Sequence, residues 1–171
     1  MIPTPVRIES LGFGAIVTPN TMEKMRQIIL ASIRNYQVRL WAERLIEFAP
    51  DDFSKSENIF NFIVNHCRYI QDPVGLEMLK TPIVSLQMIE VGGYPALDCD
   101  DATILIGSLV MSIGIPYALR AVAFDDEYSH VYGLIYIKDR GWIAADFVIG
   151  KKGGYLGDEP EGKTKIKDME V

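Results

Sequence analysis

The stretch Asp98-Cys99-Asp100-Asp101-Ala102-Thr103-Ile104-Leu105-Ile106-Gly107-Ser108-Leu109-Val110-Met111-Ser112-Ile113-Gly114-Ile115-Pro116 decides how this chain folds. Ala102, Leu105, Ile106, Leu109, Val110 and Ile113 recur at the three-and-four spacing of a helix with one buried stripe. Asp98 suits the N-cap, and Asp100 and Asp101 put negative charge in the first turn, where the helix dipole favours it. Gly114 fits the left-handed position after the last turn, and Pro116 forbids continuation. Cys99 therefore opens a buried helix, just after the loop Gly92-Gly93-Tyr94-Pro95. Main-chain N–H groups and the positive dipole end at such a place favour thiolate over thiol, which suits a nucleophile.

Downstream of Pro116 the apolar period changes from 3.6 to 2. Tyr117, Leu119, Ala121 and Ala123 alternate with Ala118, Arg120, Val122 and Phe124, as in a strand. After the polar turn Asp125-Asp126-Glu127, a second strand over 129–137 places His130, Tyr132, Leu134 and Tyr136 on one face. Lys138-Asp139-Arg140-Gly141 turns the chain, and a third strand from Trp142 puts Trp142, Ala144, Asp146 and Val148 on one face. A turn at 138–141 sets His130 against residues near 149 and Asp146 against residues near 133. The two are thus diagonal, and contact requires a bulge or an adjusted register. From residue 151 the chain reads as a charged, Gly-rich tail, in which 163–171 can add an edge strand or a partner contact.

Upstream, residues 1–17 read as an extended arm with room for a short edge strand. Thr18-Pro19 starts a helical region reaching about Phe48, as one helix or two. Ser54-Lys55-Ser56-Glu57 resembles a capping box, followed by a helix with Ile59, Ile63, Cys67 and Ile70 on one face. Cys67 is then a packed small hydrophobe, and His66 a surface or boundary residue. Gln71 to Glu77 reads as a turn, and Thr81-Pro82 starts a short helix ending near Glu90.

At 171 residues the chain is long enough for one core and short for two. A net charge of −6 with no Lys/Arg run argues against a nucleic-acid partner. Apolar runs too short for a membrane span, and an N-terminus without a signal-peptide core, lead to the expectation of a cytoplasmic protein. Two cysteines make no disulfide framework.

Cys99, His130 and Asp146 are the residues that chemistry can combine: a thiolate attacks a carbonyl carbon, an imidazole takes and returns the proton, and a carboxylate orients the imidazole. Separate structural roles for His130 and Asp146 fit the same pattern. An oxyanion hole would use the Cys99 N–H with a second donor from Tyr69, Gln71, Gln87 or Tyr94. Consecutive aspartates are spread around a helix axis, so Asp98, Asp100, Asp101 and Asp146 are not expected to converge on a metal ion; no cofactor is called for. By the same reasoning Asp100 and Asp101 project away from the sulfur and weigh little on its ionisation.

The run from Asp98 to Ala102 continuing into Ser112-Ile113-Gly114-Ile115-Pro116 resembles the nucleophile helix of the transglutaminase-like superfamily of papain-fold cysteine enzymes. Ser129-His130-Val131-Tyr132 and Gly141-Trp142-Ile143-Ala144-Ala145-Asp146 resemble its histidine and aspartate strands. Tyr69-Ile70-Gln71-Asp72-Pro73 and Thr81-Pro82 look like a small branch found in bacterial and phage proteins. The resemblance implies an α+β fold, with the nucleophile helix packed on an antiparallel sheet of at least three strands and additional N-terminal helices. It implies one catalytic domain over 1–150, with a helical part at 18–90 and the core at 98–148, followed by the tail 151–171. Cys99 is then nucleophile, His130 base and Asp146 orienting acid, in thiol-dependent acyl transfer on an amide bond of a peptide or protein substrate. The reaction is that of a protease, an amidase or a protein-glutamine transferase. Hydrolysis is favoured over cross-linking, because a small domain has little room to exclude water. Asp98, where the family often has Gly, and Val131-Tyr132, where it has a small residue and Trp, change the rim, which comprises Asp98, Asp100, Asp101, Tyr132 and Trp142. The alternative is a non-catalytic binding or assembly module of the same fold, such as a phage component.

Overall fold

The computed structural model describes residues 6–8, 17–72 and 77–171. In chain order they form β1 (Val6–Ile8), α1 (Pro19–Ser32), α2 (Tyr36–Ile46), α3 (Asp52–His66), β2 (Arg68–Tyr69), β3 (Glu77–Leu79), α4 (Pro82–Glu90), β4 (Ala96–Leu97) and α5 (Cys99–Ser112). They continue with β5 (Tyr117–Ala123), β6 (Tyr128–Ile137), β7 (Gly141–Ala145), α6 (Phe147–Lys151) and β8 (Lys165–Glu170). The fold is α+β. The rest of the arm expected over 1–17, and residues 73–76 of the expected turn, lie outside the described residues.

Local chemistry accounts for most helix ends. Thr18 and Thr21 cap α1 reciprocally, with Pro19 in the first turn. The helical region up to Phe48 is two helices, because Asn35 leaves the helical conformation and accepts a hydrogen bond from the Gln37 N–H at 2.9 Å. The capping box expected at Ser54–Glu57 is replaced by Asp51, whose carboxylate takes the Ser54 N–H at 2.7 Å and starts α3 three residues earlier. Cys67 and Ile70 do not continue the α3 face: the helix ends at His66, Cys67 is its buried C-cap, and Ile70 lies exposed beyond β2.

Helix α5 is the centre of the molecule. Its expected single stripe is instead burial all round, since every residue from Cys99 to Val110 is buried. The side the wheel counts as polar carries Gly107 and Thr103, and both serve close approach to the sheet. Tyr117 lies across Gly107 of α5 and Gly133 of β6, where an added Cβ would stand 2.4 Å and 1.9 Å from its ring and hydroxyl. Its O–H donates to the Thr103 carbonyl at 2.9 Å, so the buried phenol is satisfied. Gly114 adopts the expected left-handed conformation, φ +84°.

The main sheet has the order β7-β6-β5-β8, with every pairing antiparallel. Tyr117, Leu119, Ala121, Val131, Ile135 and Ala145 join α5 in the core. On the far face Ala118, Val122, Tyr132, Leu134 and Ala144 form a second apolar cluster. The stretch read as a charged tail begins inside α6 and is tied to the sheet. Gly157 N–H donates to the Ala144 carbonyl at 2.8 Å, and Glu159 and Asp168 both pair with Arg120. The edge strand expected within 163–171 is β8. Two smaller pairings, antiparallel β1–β3 and parallel β2–β4, complete the strands. Among the described residues, no helix is long and apolar enough to cross a membrane.

Candidate active site

Three local features position the candidate residues. The first is the helix start itself: Asp98 is the N-cap and accepts the Asp101 N–H, which places Cys99, 8 % exposed, at the first helical position. The second is a clamp from helix to sheet. The Thr103 hydroxyl lies 2.6 Å from the Cys99 carbonyl and 3.3 Å from the Val131 carbonyl, joining the first turn of α5 to β6. The Val131 main-chain amide acts on the Cys99 sulfur as a donor that favours the thiolate, so the thiol lies beside the residue that follows His130.

The third feature is the His130–Asp146 pair, Nε2 to Oδ2 at 2.7 Å. The diagonal expected from the hairpin is resolved by two departures from regular strands. Val122 faces His130 while Ala123 faces Tyr128, leaving Ser129 as the extra residue of a bulge. Asp146 is not a strand residue: β7 ends at Ala145, and Asp146 is the N-cap of α6. Its Oδ1 accepts the N–H groups of Val148 and Ile149, at 2.9 and 3.2 Å, which leaves Oδ2 for the imidazole. Helix α6 is held in turn by Lys151, whose ammonium donates to the Val64 and Cys67 carbonyls at the end of α3. His130 is flanked by Phe124 and Tyr132, with ring centroids at 6.4 and 5.7 Å.

The acidic residues behave differently from expectation. Asp98, Asp100 and Asp101 are buried, and each places a carboxylate oxygen within 4.8 Å of the others. They converge, contrary to their spread on a helical wheel, because the cap side chain folds back over the first turn, where it meets Asp100. Among the described residues, these oxygens lie close enough together to face one cation, whereas Asp146 is engaged with His130. Burial and the hydrogen-bonded Asp100 push the Asp98 carboxyl up to about 9. Burial and Asp98 push Asp101 up to about 7 against the pull of Lys80. Lys80 pairs with Asp101 through its ammonium and also donates its main-chain N–H at 2.6 Å. Cys99 is also pushed up, by burial first and then by Asp100 and Asp98, so the helix start alone does not make a thiolate. Burial pushes Cys67 up to about 12.

Of the oxyanion candidates, Tyr69 interacts with the site residues, and Gln71 acts on Tyr69. Tyr69 pairs with Leu97 just before Cys99 and feels Cys99, Asp98 and Asp146. Gln87 lies on α4, and Tyr94, more than half exposed, lies in the loop before β4. Of the expected rim, Tyr132 is fully buried beside His130. Trp142 is misplaced: it faces Tyr136, six residues along β6 from His130, or about 20 Å away. Sequence reading missed Thr103, whose signal is its i+4 spacing from Cys99. It also missed Phe124, two residues past the partner of His130, and Lys80, a partner 21 residues distant.

No family model and no curated protein matches the chain. Solved structures do. A candidate protease from Parabacteroides distasonis superposes with a TM-score of 0.60 at 13% identity, over 88% of this chain and 30% of that one. A candidate cysteine protease from Cytophaga hutchinsonii gives 0.51 at 14%, over 91% and 59%. Legionella pneumophila LapG gives 0.47 at 17%, over 83% and 86%. The chain thus spans less than two thirds of the first two structures, and it shares their fold.

Proposed function

We propose that this chain is a cysteine peptidase or amidase, cleaving an amide bond of a peptide or protein through a thioester on Cys99. The observation that carries this reading is the 2.7 Å His130–Asp146 pair, its carboxylate pinned by two main-chain N–H groups, one residue away from the amide that contacts the Cys99 sulfur. With Nε2 committed to Asp146, Nδ1 is the nitrogen left for the thiol. Burial and the neighbouring carboxylates oppose a free thiolate, so the Cys99 proton passes to His130 within the site and not to bulk water. Sharing a fold with proteins described as proteases supports the reading as analogy.

A binding module of the same fold is favoured by one observation, the carboxylates that hold Cys99 protonated. Limiting iodoacetamide with mass-spectrometric mapping separates the two. Cys99 should be labelled near pH 7 and Cys67 should not, and His130→Ala should slow Cys99 labelling by on the order of 10²-fold. Equal labelling of both thiols, or an unchanged rate in His130→Ala, would remove the catalytic assignment.

A further inference from the structure

We propose that the Tyr69 phenol is the second oxyanion donor of this site, acting with the Cys99 main-chain N–H; the assignment rests on the peptidase reading above. The parallel pairing of β2 with β4 sets Tyr69 opposite Leu97, two residues before Cys99. Its register is held by Arg68 N–H to the Pro95 carbonyl and Ile70 N–H to the Leu97 carbonyl, at 2.9 and 3.0 Å. On its other side the Tyr69 ring lies 6.4 Å from Phe147, the residue after Asp146. Tyr69 therefore bridges the starts of the two helices that carry Cys99 and Asp146, and it interacts with both residues.

Its chemistry suits a donor. Partial burial and the surrounding carboxylates favour the neutral phenol, which keeps its proton. The Gln71 side chain acts on the phenol oxygen as a donor, which leaves the O–H free to donate. In the step served, the Cys99 sulfur bonds to the carbonyl carbon and its proton goes to His130, while the carbonyl π pair moves onto oxygen. That oxyanion receives the Cys99 N–H, one of the N–H groups a helix start leaves without an intrahelical partner, and the Tyr69 O–H. Collapse breaks the C–N bond, and the amine leaves with the proton from His130. Water, deprotonated by His130, then attacks the thioester through a second oxyanion at the same place; its collapse breaks the C–S bond, releases the carboxylic acid and returns the proton from His130 to the Cys99 sulfur.

The test compares two reactions of the same thiol. Acylation by p-nitrophenyl acetate passes through an oxyanion; alkylation by iodoacetamide displaces iodide and does not. Tyr69→Phe keeps the ring against Phe147 and should slow Cys99 acylation by on the order of 10²-fold, with alkylation within about twofold of wild type. Gln71→Leu should slow acylation less, with alkylation again unchanged. Equal slowing of both reactions in Tyr69→Phe would make Tyr69 a determinant of thiol ionisation or structure and overturn the proposal, as would no slowing of either. Wild-type Cys99 that alkylates readily yet is not acylated would overturn the peptidase reading itself, a result distinguishable from a failure of Tyr69 alone.

Discussion

Asp98 and Asp146 do the same local job in different company. Both are buried aspartates in extended conformation at the N-cap of a helix, and both accept main-chain N–H groups of the first turn. Asp146 looks out on donors: two amides on one oxygen and an imidazole on the other. Asp98 looks out on carboxylates, and its proton is held up to about pH 9. A cap is thus not intrinsically an anion. What faces the outer oxygen decides whether the residue orients a base or shares a proton, and neither outcome follows from the capping pattern.

The largest effect that tests this contrast is at the donor-facing cap. Asp146→Asn keeps an oxygen for the Val148 and Ile149 N–H groups, so the melting temperature should hold. Its NH₂ would face His130 Nε2 and impose the wrong tautomer, lowering turnover of any amide substrate by on the order of 10²–10⁴-fold. Normal turnover would make Asp146 a structural cap only.

Legibility in the sequence follows the same division. The bounds of α5 could be read because cap, stripe, Gly114 and Pro116 are all local signals. Cys99 and His130 could be picked out because each stands in a strong periodic element. Asp146 was legible as a residue but not as a cap, since the five residues of α6 are too few to show a helical period. The convergence of the three aspartates was hidden because helical-wheel geometry does not describe a side chain outside the first turn. Burial all round α5 was hidden because Gly107 and Thr103 read as a wet side until Tyr117 and Val131 are seen against them.

A second test reaches the acidic side through its cation. The Asp101 side chain is fully buried, and the Lys80 side chain is 23% exposed. Lys80→Met would leave a buried carboxylate without its counter-charge. The cost should fall below that of a wholly buried pair, at about 2–3 kcal/mol near pH 8. For a chain of this size that lowers the melting temperature by roughly 5–10 °C. A loss of less than about a degree would mean that Asp101 is already neutral and the pair contributes little.

The last effect concerns Asp98 and has a definite sign. Its folded-state pKa of about 9 stands above the ordinary value of 3.8, so between those limits the folded state holds more protons than the unfolded state. Stability contributed by the protonated carboxyl is complete below about pH 4 and declines as pH rises toward 9. Asp101, raised to about 7, adds a decline of the same sign over a narrower window. Asp51, the exposed cap of α3, has the opposite sign, because the Ser54 N–H holds its carboxyl below the usual range. Asparagine caps as well as aspartate and carries no charge. Asp98→Asn should therefore match wild type near pH 4 and melt higher at pH 8, by about 2–4 °C for each kcal/mol released. Asp51→Asn should show no gain at pH 8. Thermal melts from pH 4 to 9 in chelator-containing buffer read both. An Asp98→Asn variant that melts lower than wild type at pH 8 would mean that Asp98 is ionised in the folded protein. The two caps would then differ in partners but not in charge.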